Sequence, residues 1–266
     1  MIKQENKKWF KYFGSGIVDL LFPSRPLCPI CQQEESVGRG LGKNCLRRIA
    51  VIAPPICERC GRPLRLAATR AKLCSQCDRN QYYFSAARSV ALYEGALREH
   101  LAELKYRYRP DLGLALGQLL VEWAKLHPGY FRKIDQIVPI PIHGQKLALR
   151  GYNQAELLSN PLRNYLGFSS KYSIIIREKL TESQNALTKE ERFDNISGAF
   201  RVVDNSVLTG AGVLLIDDIL TTGATVSEAA RVLLRGGARE VKVLTLAAGV
   251  IDSQWFGPDQ GVNIWK

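Results

Sequence analysis

Residues 213–225 read Val-Leu-Leu-Ile-Asp-Asp-Ile-Leu-Thr-Thr-Gly-Ala-Thr, and this run constrains the fold more than any other part of the chain. Apolar residues leading straight into two carboxylates predict a buried parallel strand, Val213 to Asp217, whose C-terminal end delivers Asp217 and Asp218 to a crevice. Thr221, Thr222, Gly223, Ala224 and Thr225 predict a short turn that opens a helix running to about Arg235. Backbone N–H groups, hydroxyls and the positive end of the helix dipole then converge on one point. Gly223 lets the backbone approach a ligand with no Cβ in the way. Carboxylates beside an anion cradle suit a sugar phosphate, with vicinal hydroxyls on the acids and a phosphate in the turn. The alternative is a solvated strand end followed by an ordinary capped helix. A nucleotide-hydrolysing phosphate loop is excluded, because no Lys follows the glycine and the acids precede the turn.

The combination resembles the phosphoribosyl pyrophosphate (PRPP) motif of type I phosphoribosyltransferases. The flanking sequence alternates strand and helix patterns: strands Ala86 to Tyr93, Gln136 to Ile142, Val213 to Asp217 and Val241 to Ala247, with Ser173 to Arg177 extended. Helices are predicted over Ala96 to Lys105, Leu112 to Leu126 and Asn153 to Leu166, and Gly236-Gly237 stops the helix of the motif. Such alternation predicts an α/β fold, a doubly wound, mostly parallel sheet with helices on both faces. The type I phosphoribosyltransferase-like part is assigned to 82–266, after a basic amphipathic arm at 1–27 and a cysteine-rich module at 28–81.

With 46% apolar residues the chain can bury one substantial core and still supply a smaller module. No apolar run approaches the ~20 residues that span a bilayer, and no signal-peptide core is visible, so a cytoplasmic location is expected. The arm interleaves Lys3, Lys7, Lys8 and Lys11 with Trp9, Phe10 and Phe13, which suits docking on its own protein or on a membrane surface. Seven cysteines in a reducing compartment read as metal ligands. Cys57-x-x-Cys60 and Cys74-x-x-Cys77, 13 residues apart, can place four sulfurs round a tetrahedral zinc. Redox use is the rival, disfavoured because neither pair opens a helix after a βαβ strand. Upstream, Cys28, Cys31 and Cys45 supply three ligands, and Arg48 stands where a fourth would fall. Either a residue from elsewhere completes this set or it holds no zinc and is kept by packing, and the second is expected. Losing the Cys74 site is expected to loosen this module and spare the ligand domain.

The net charge is +12, and residues 1–110 carry 20 Lys/Arg against 9 Asp/Glu, which is +11 of it. A basic N-terminal region, with Arg62, Arg65 and Arg79 as candidates, points to nucleic acid or phosphate-rich small molecules. Two stretches interleave cations and aromatics, Arg79-x-x-Tyr82-Tyr83-Phe84 and Lys105-Tyr106-Arg107-Tyr108-Arg109. Either suits single-stranded DNA, and solvated arginines beside core aromatics explain the same letters.

Taken together, the C-x-x-C pairs, Lys105-Tyr106, Val138-Pro139-Ile140-Pro141, Arg150-Gly151-Tyr152-Asn153-Gln154, the Gln184 to Phe200 stretch and the PRPP motif resemble the ComF (competence protein F, GntX-like) family. The resemblance implies a zinc ribbon fused to a phosphoribosyltransferase-like domain, PRPP bound with Mg²⁺, and a role in DNA uptake beside other competence proteins. It places a pyrophosphate loop at Ile142, His143 and Gly144 leading to Arg150, and a closing hood loop over Glu178 to Asn195. Two functions stay open: a PRPP-binding protein that handles single-stranded DNA, or an active phosphoribosyltransferase with an unidentified acceptor. No residue stands out as a general base, so no catalytic residue is assigned.

Overall fold

The computed structural model describes residues 27–36, 40–64, 72–168, 173–180 and 189–249. The amphipathic arm, Arg65 and the 181–188 part of the expected hood segment lie outside them. In chain order the elements are α1 (Lys43–Arg47), α2 (Ser75–Arg79), β1 (Ala86–Leu92), α3 (Gly95–Tyr106), α4 (Pro110–Leu126) and β2 (Gln136–Pro139). There follow α5 (Gly144–Arg150), α6 (Gln154–Leu166), β3 (Ile175–Arg177), α7 (Lys189–Ile196), β4 (Phe200–Val202), β5 (Gly212–Leu220), α8 (Ala224–Arg235) and β6 (Glu240–Ala248).

Four strands form an all-parallel sheet in the order β1-β6-β5-β2. Because successive side chains on a strand face opposite ways, β5 sends Val213 and Leu215 into one core and Leu214 and Ile216 into the other. Helix α8 covers the first face with Val226, Ala229, Ala230 and Leu233, at the i, i+3, i+4, i+7 spacing of one helical stripe. Helices α4 and α6 cover the second with Leu112, Leu116, Leu119, Leu158 and Leu162. A Cβ on Gly117 would lie 2.6 Å from the Leu158 carbonyl, so α4 and α6 pack at a distance only glycine permits. The doubly wound arrangement anticipated from the alternation is the arrangement found.

Two strand predictions need correction. The strand of the motif does not end at its acids but continues to Leu220, because Ile219 and Leu220 still pair with Ala247 and Ala248 of β6. The run before Arg177 is extended, as expected, and β3 pairs antiparallel with β4 as a separate two-stranded ribbon. The strand predicted to Ile142 stops at Pro139, since Pro139 and Pro141 lack the N–H a ladder needs, although Ile140 still donates to the Ile216 carbonyl (2.9 Å).

The cysteine segments are built into these same cores. Residues 50–52 run antiparallel along the outer edge of β1, with Ile52 N bonded to Val90 O (3.0 Å) and Leu92 N to Ala50 O (2.8 Å). This covers a sheet edge that would otherwise be open. It also sends the chain across the sheet, so Cys28 and Cys45 join the core of α4 while Cys57, Cys60, Cys74 and Cys77 join that of α8. Among the described residues, no helix is long and apolar enough to cross a membrane.

Candidate functional site

A cavity of about 320 Å³ opens at the C-terminal end of β5. Its wall includes Asp217, Asp218, Thr221 and Thr225 from β5 and the turn that follows, Lys105 and Tyr106 from α3, and Ile142, Lys146 and Arg150 from the α5 region. Asn153, Gln154, Arg177 and Arg192 complete it. Five cations thus surround two carboxylates, a site suited to a ligand of several negative charges.

The acids are in unlike environments. Asp218 is buried, and its Oδ2 lies 2.7 Å from Lys105 Nζ. Burial works against the Lys105 charge, but the charge and hydrogen bond of Asp218 outweigh it, so the Lys105 pKa stays above its usual value. Asp217 keeps part of its surface open to the cavity. Even so, the protein packed round it and the neighbouring Asp218 charge push its carboxyl up to about 7, opposed by a hydrogen bond from Asp218 N (2.9 Å) and by Lys105 and Arg177. On the far side, burial lowers the Arg177 pKa against the attraction of Asp217.

The turn takes its shape from Gly223, whose φ of +86° lies in the left-handed region and which caps α8. Thr222 turns inward: its Oγ1 accepts from Ala224 N (3.3 Å) and its carbonyl accepts from the Tyr82 hydroxyl (2.9 Å). The α8 N-terminus therefore presents Thr221, Thr225 and backbone amides to the cavity, while the Thr222 hydroxyl serves the turn itself.

The expected pyrophosphate loop is only partly in place. Ile142 and Arg150 reach the cavity wall, whereas His143 caps α5, its Nδ1 accepting from Gln145 N (3.2 Å) with Gly144 as the first helical residue. The helix instead turns Lys146 inward, a residue that sequence reasoning passed over. Gln154 was named only within a motif, yet it is buried with Nε2 lacking a hydrogen-bond partner in the cavity wall. A buried donor left open is rare in a folded protein and is satisfied when a ligand supplies an acceptor. Lys105 had a signal, its place beside Tyr106, but its pairing with Asp218 crosses from α3 to β5 and has no sequence spacing.

Both cysteine sets converge. The ligand atoms of Cys57, Cys60, Cys74 and Cys77 lie within 4.8 Å of one another, with Cys60 Sγ and Cys74 Sγ 3.6 Å apart. A zinc tetrahedron with Zn–S near 2.3 Å needs sulfurs about 3.8 Å apart, so the donors fit that ion. Hydrogen bonding among the sulfurs divides the thiols: Cys57 is held far below its usual value by Cys60, and Cys60 and Cys77 are pushed far up by Cys57. Four thiolates this close cannot all ionise without a cation between them. Cys74 caps a short helix, α2, but α2 precedes β1 and follows no strand of the sheet, and the convergence of all four sulfurs supports the metal reading.

The upstream set also gains its fourth donor, correcting the expectation of three thiolates and an arginine. Glu34 comes within 4.8 Å of the Cys28, Cys31 and Cys45 sulfurs. Its Oε1 accepts from Asn44 N (3.1 Å) and Cys45 N (3.1 Å) at the start of α1, and these bonds, that of Asn44 first, lower its pKa. Gly42 makes room, since a Cβ there would sit 2.2 Å from the Glu34 side chain. The ligand was missed because it lies upstream of α1, three residues after Cys31.

Of the first basic-aromatic stretch, Tyr82 and Phe84 are buried and stacked while Arg79 and Tyr83 are exposed; Arg62, outside that stretch, is 2% exposed, which removes it as a phosphate contact. The second is open. Tyr106 and Tyr108 are 73% and 71% exposed beside the cavity mouth, with the Arg150 guanidinium 6.0 Å from the Tyr106 ring centroid.

Comparison with known proteins bears on both halves. The pattern of the double zinc ribbon domain matches residues 17–78, and that of the phosphoribosyl transferase domain matches residues 122–253. A DNA utilization protein YhgH of Salmonella typhimurium is 31% identical over 224 residues, covering 83% of this chain and 96% of that protein. Competence protein ComFC of Bacillus subtilis is 31% identical over 211 residues, covering 76% of this chain and 82% of that protein. Among solved structures, a hypoxanthine phosphoribosyltransferase from Staphylococcus aureus aligns over 58% of this chain and 78% of its own, at 17% identity and a TM-score of 0.30.

The raised Asp217 pKa predicts a pH signature. A carboxyl at about 7 when folded, against about 3.9 unfolded, gives the ligand-free protein a contribution present below about pH 4 and lost as pH rises through 7. Asp217→Asn should flatten stability between pH 4 and 7 and raise Tm at pH 8. Thermal melts across that range check it, and a variant retaining the wild-type slope assigns the titration elsewhere.

Proposed function

The chain belongs to the ComF (competence protein F) family, and from that premise we propose that it binds PRPP with Mg²⁺ in this cavity and handles single-stranded DNA. What carries the reading is the placing of five cations round two carboxylates at the end of a parallel strand, beside a turn set by a left-handed glycine. Asp217 and Asp218 accept the ribose hydroxyls. The turn from Thr221 to Thr225, through its backbone N–H groups other than that of Ala224, which bonds Thr222 Oγ1, and through the Thr221 and Thr225 hydroxyls, holds the 5′-phosphate. Lys146, Arg150 and Arg192 face the pyrophosphate, with Gln154 Nε2 as an added donor. Asp217 and Asp218 would hold Mg²⁺, which would supply positive charge to neutralise the pyrophosphate.

Calorimetry should find Mg²⁺-dependent PRPP binding that weakens at least about 100-fold in Asp217→Ala/Asp218→Ala, since two charge-assisted hydrogen bonds are lost together. Undiminished affinity would sink the assignment. Turnover is a second reading, favoured by a carboxyl whose pKa of about 7 suits proton transfer near neutral pH. Pyrophosphate release across a panel of bases and nucleic acids separates transfer from binding alone.

Zinc is proposed at Cys57, Cys60, Cys74 and Cys77, and also at Cys28, Cys31, Cys45 and Glu34. Elemental analysis should give two zincs per chain, falling by one in Cys74→Ser and by one in Glu34→Ala. A content of one that Glu34→Ala leaves unchanged would return the upstream set to a packing role.

Single-stranded DNA is assigned to the ledge of Tyr106, Arg107 and Tyr108 at the cavity mouth, where bases stack on exposed rings and phosphates meet arginines. The names of two relatives, a DNA utilization protein and a competence protein, support a role with DNA, and a cytoplasmic place beside competence proteins belongs to the same proposal. Tyr106→Ala/Tyr108→Ala should weaken single-strand binding by roughly tenfold or more, at the order of base–aromatic stacking. Affinity should fall with salt by a slope of about −0.7 per phosphate neutralised. Fluorescence anisotropy at several salt concentrations reads both, and a variant that binds as wild type removes the ledge from the interface.

A further inference from the structure

Two side chains rooted in the downstream cysteine knuckle reach the underside of the turn after β5. Arg62 lies two positions beyond Cys60 and is almost wholly buried. Its Nη1 donates to Gln76 Oε1 (2.8 Å), between Cys74 and Cys77, and its Nη2 to the Leu220 carbonyl (3.2 Å). The Tyr82 hydroxyl donates to the Thr222 carbonyl, and Arg59 Nη1 holds the Tyr82 carbonyl (3.2 Å). The Tyr82 ring lies so close to Gly223 that a Cβ there would be 2.9 Å from Cε1.

In a trans peptide the carbonyl and the following N–H point in opposite directions. The bond from Tyr82 to the Thr222 carbonyl therefore turns the Gly223 N–H away from the knuckle, toward the cavity, and Arg62 reinforces the Leu220 carbonyl, whose orientation β6 also sets, so that the Thr221 N–H faces the same way. Arg62 needs a counter-charge, because a buried guanidinium is always ionised and costly when unpaired. Four thiolates round one zinc carry a net charge of about −2, and the Arg62 charge acts on the Cys60 thiol. The Leu220 carbonyl also accepts from Gly249 N (3.0 Å), so Arg62 adds a second bond from the knuckle to the end of β5, while the Tyr82 hydroxyl holds the Thr222 carbonyl beyond the ladder.

We propose that Arg62 and Tyr82 are positioning residues that couple the four-cysteine knuckle to the phosphate-holding turn, so that metal occupancy and phosphate affinity are linked. This replaces the expectation that loss of the metal spares the ligand domain. It rests on reading the turn as the seat of the 5′-phosphate. Linkage is reciprocal, so a ligand in the turn strengthens metal retention by the factor by which metal strengthens the ligand.

The test uses the zinc-loaded full chain, with ribose 5-phosphate and inorganic pyrophosphate as separate calorimetric probes. Tyr82→Phe keeps the ring and removes only the hydroxyl. It should weaken ribose 5-phosphate about fivefold, the order of one hydrogen bond, while pyrophosphate affinity and zinc content stay at wild-type values. Arg62→Met should act in the same direction and more strongly, and Tyr82→Phe keeps the test valid should that variant fail to fold. Saturating PRPP should slow zinc loss to a chelator in wild type and lose that effect in Tyr82→Phe. Unchanged ribose 5-phosphate affinity, or equal weakening of both probes, overturns the coupling while leaving the site reading in place. A wild type that binds neither probe overturns both.

Discussion

Strand β5 is hydrogen-bonded along both edges, to β2 and to β6, and packed on both faces, and the geometry of the cavity depends on that confinement. A strand held on four sides cannot shift register without moving Val213 and Leu215 into the wrong core. Asp217, Asp218 and the turn beyond Leu220 are consequently set in space by apolar residues that never meet a ligand. Helix α8 continues from the turn, so the same packing fixes the direction in which its first amides point.

Confinement also creates the electrostatics. Two adjacent acids at a buried strand end repel each other and lose hydration, and the fold answers with Lys105 on one side and Arg177 on the other. Only one acid has a close ion pair, which leaves Asp217 with its carboxyl at about 7. Hydroxyls or a cation placed beside two such acids would relieve their repulsion, which suits a polar ligand.

The cysteine segments serve the same sheet. Residues 50–52 close the edge of β1 and divide the sulfurs between the two cores, one set on each face. The downstream set is the one whose neighbours Arg62 and Tyr82 touch the turn. The upstream set packs under α4, and Arg109, from the basic-aromatic stretch, donates to the Pro29 carbonyl (2.6 Å) between Cys28 and Cys31. Each knuckle is thereby attached to a different part of the candidate site.

Local pattern determined a good deal by itself. The apolar run of β5, the stripe of α8, the glycine of the turn and the two downstream C-x-x-C pairs were legible, because each expresses a short-range rule of periodicity, φ or ligand spacing. Tertiary structure alone decided what crosses between elements: Lys105 against Asp218, Gln154 and Lys146 in the cavity wall, Glu34 beside three sulfurs, and Arg62 beneath Leu220. It also decided that β5 outruns its acids, since Ile219 and Leu220 are paired with Ala247 and Ala248, residues of β6 far along the chain. Periodicity records which face of an element is buried, but the neighbour that face meets is chosen by how the sheet and its helices pack. A pair such as Arg62 and Leu220, 158 residues apart, leaves no spacing in the sequence to read.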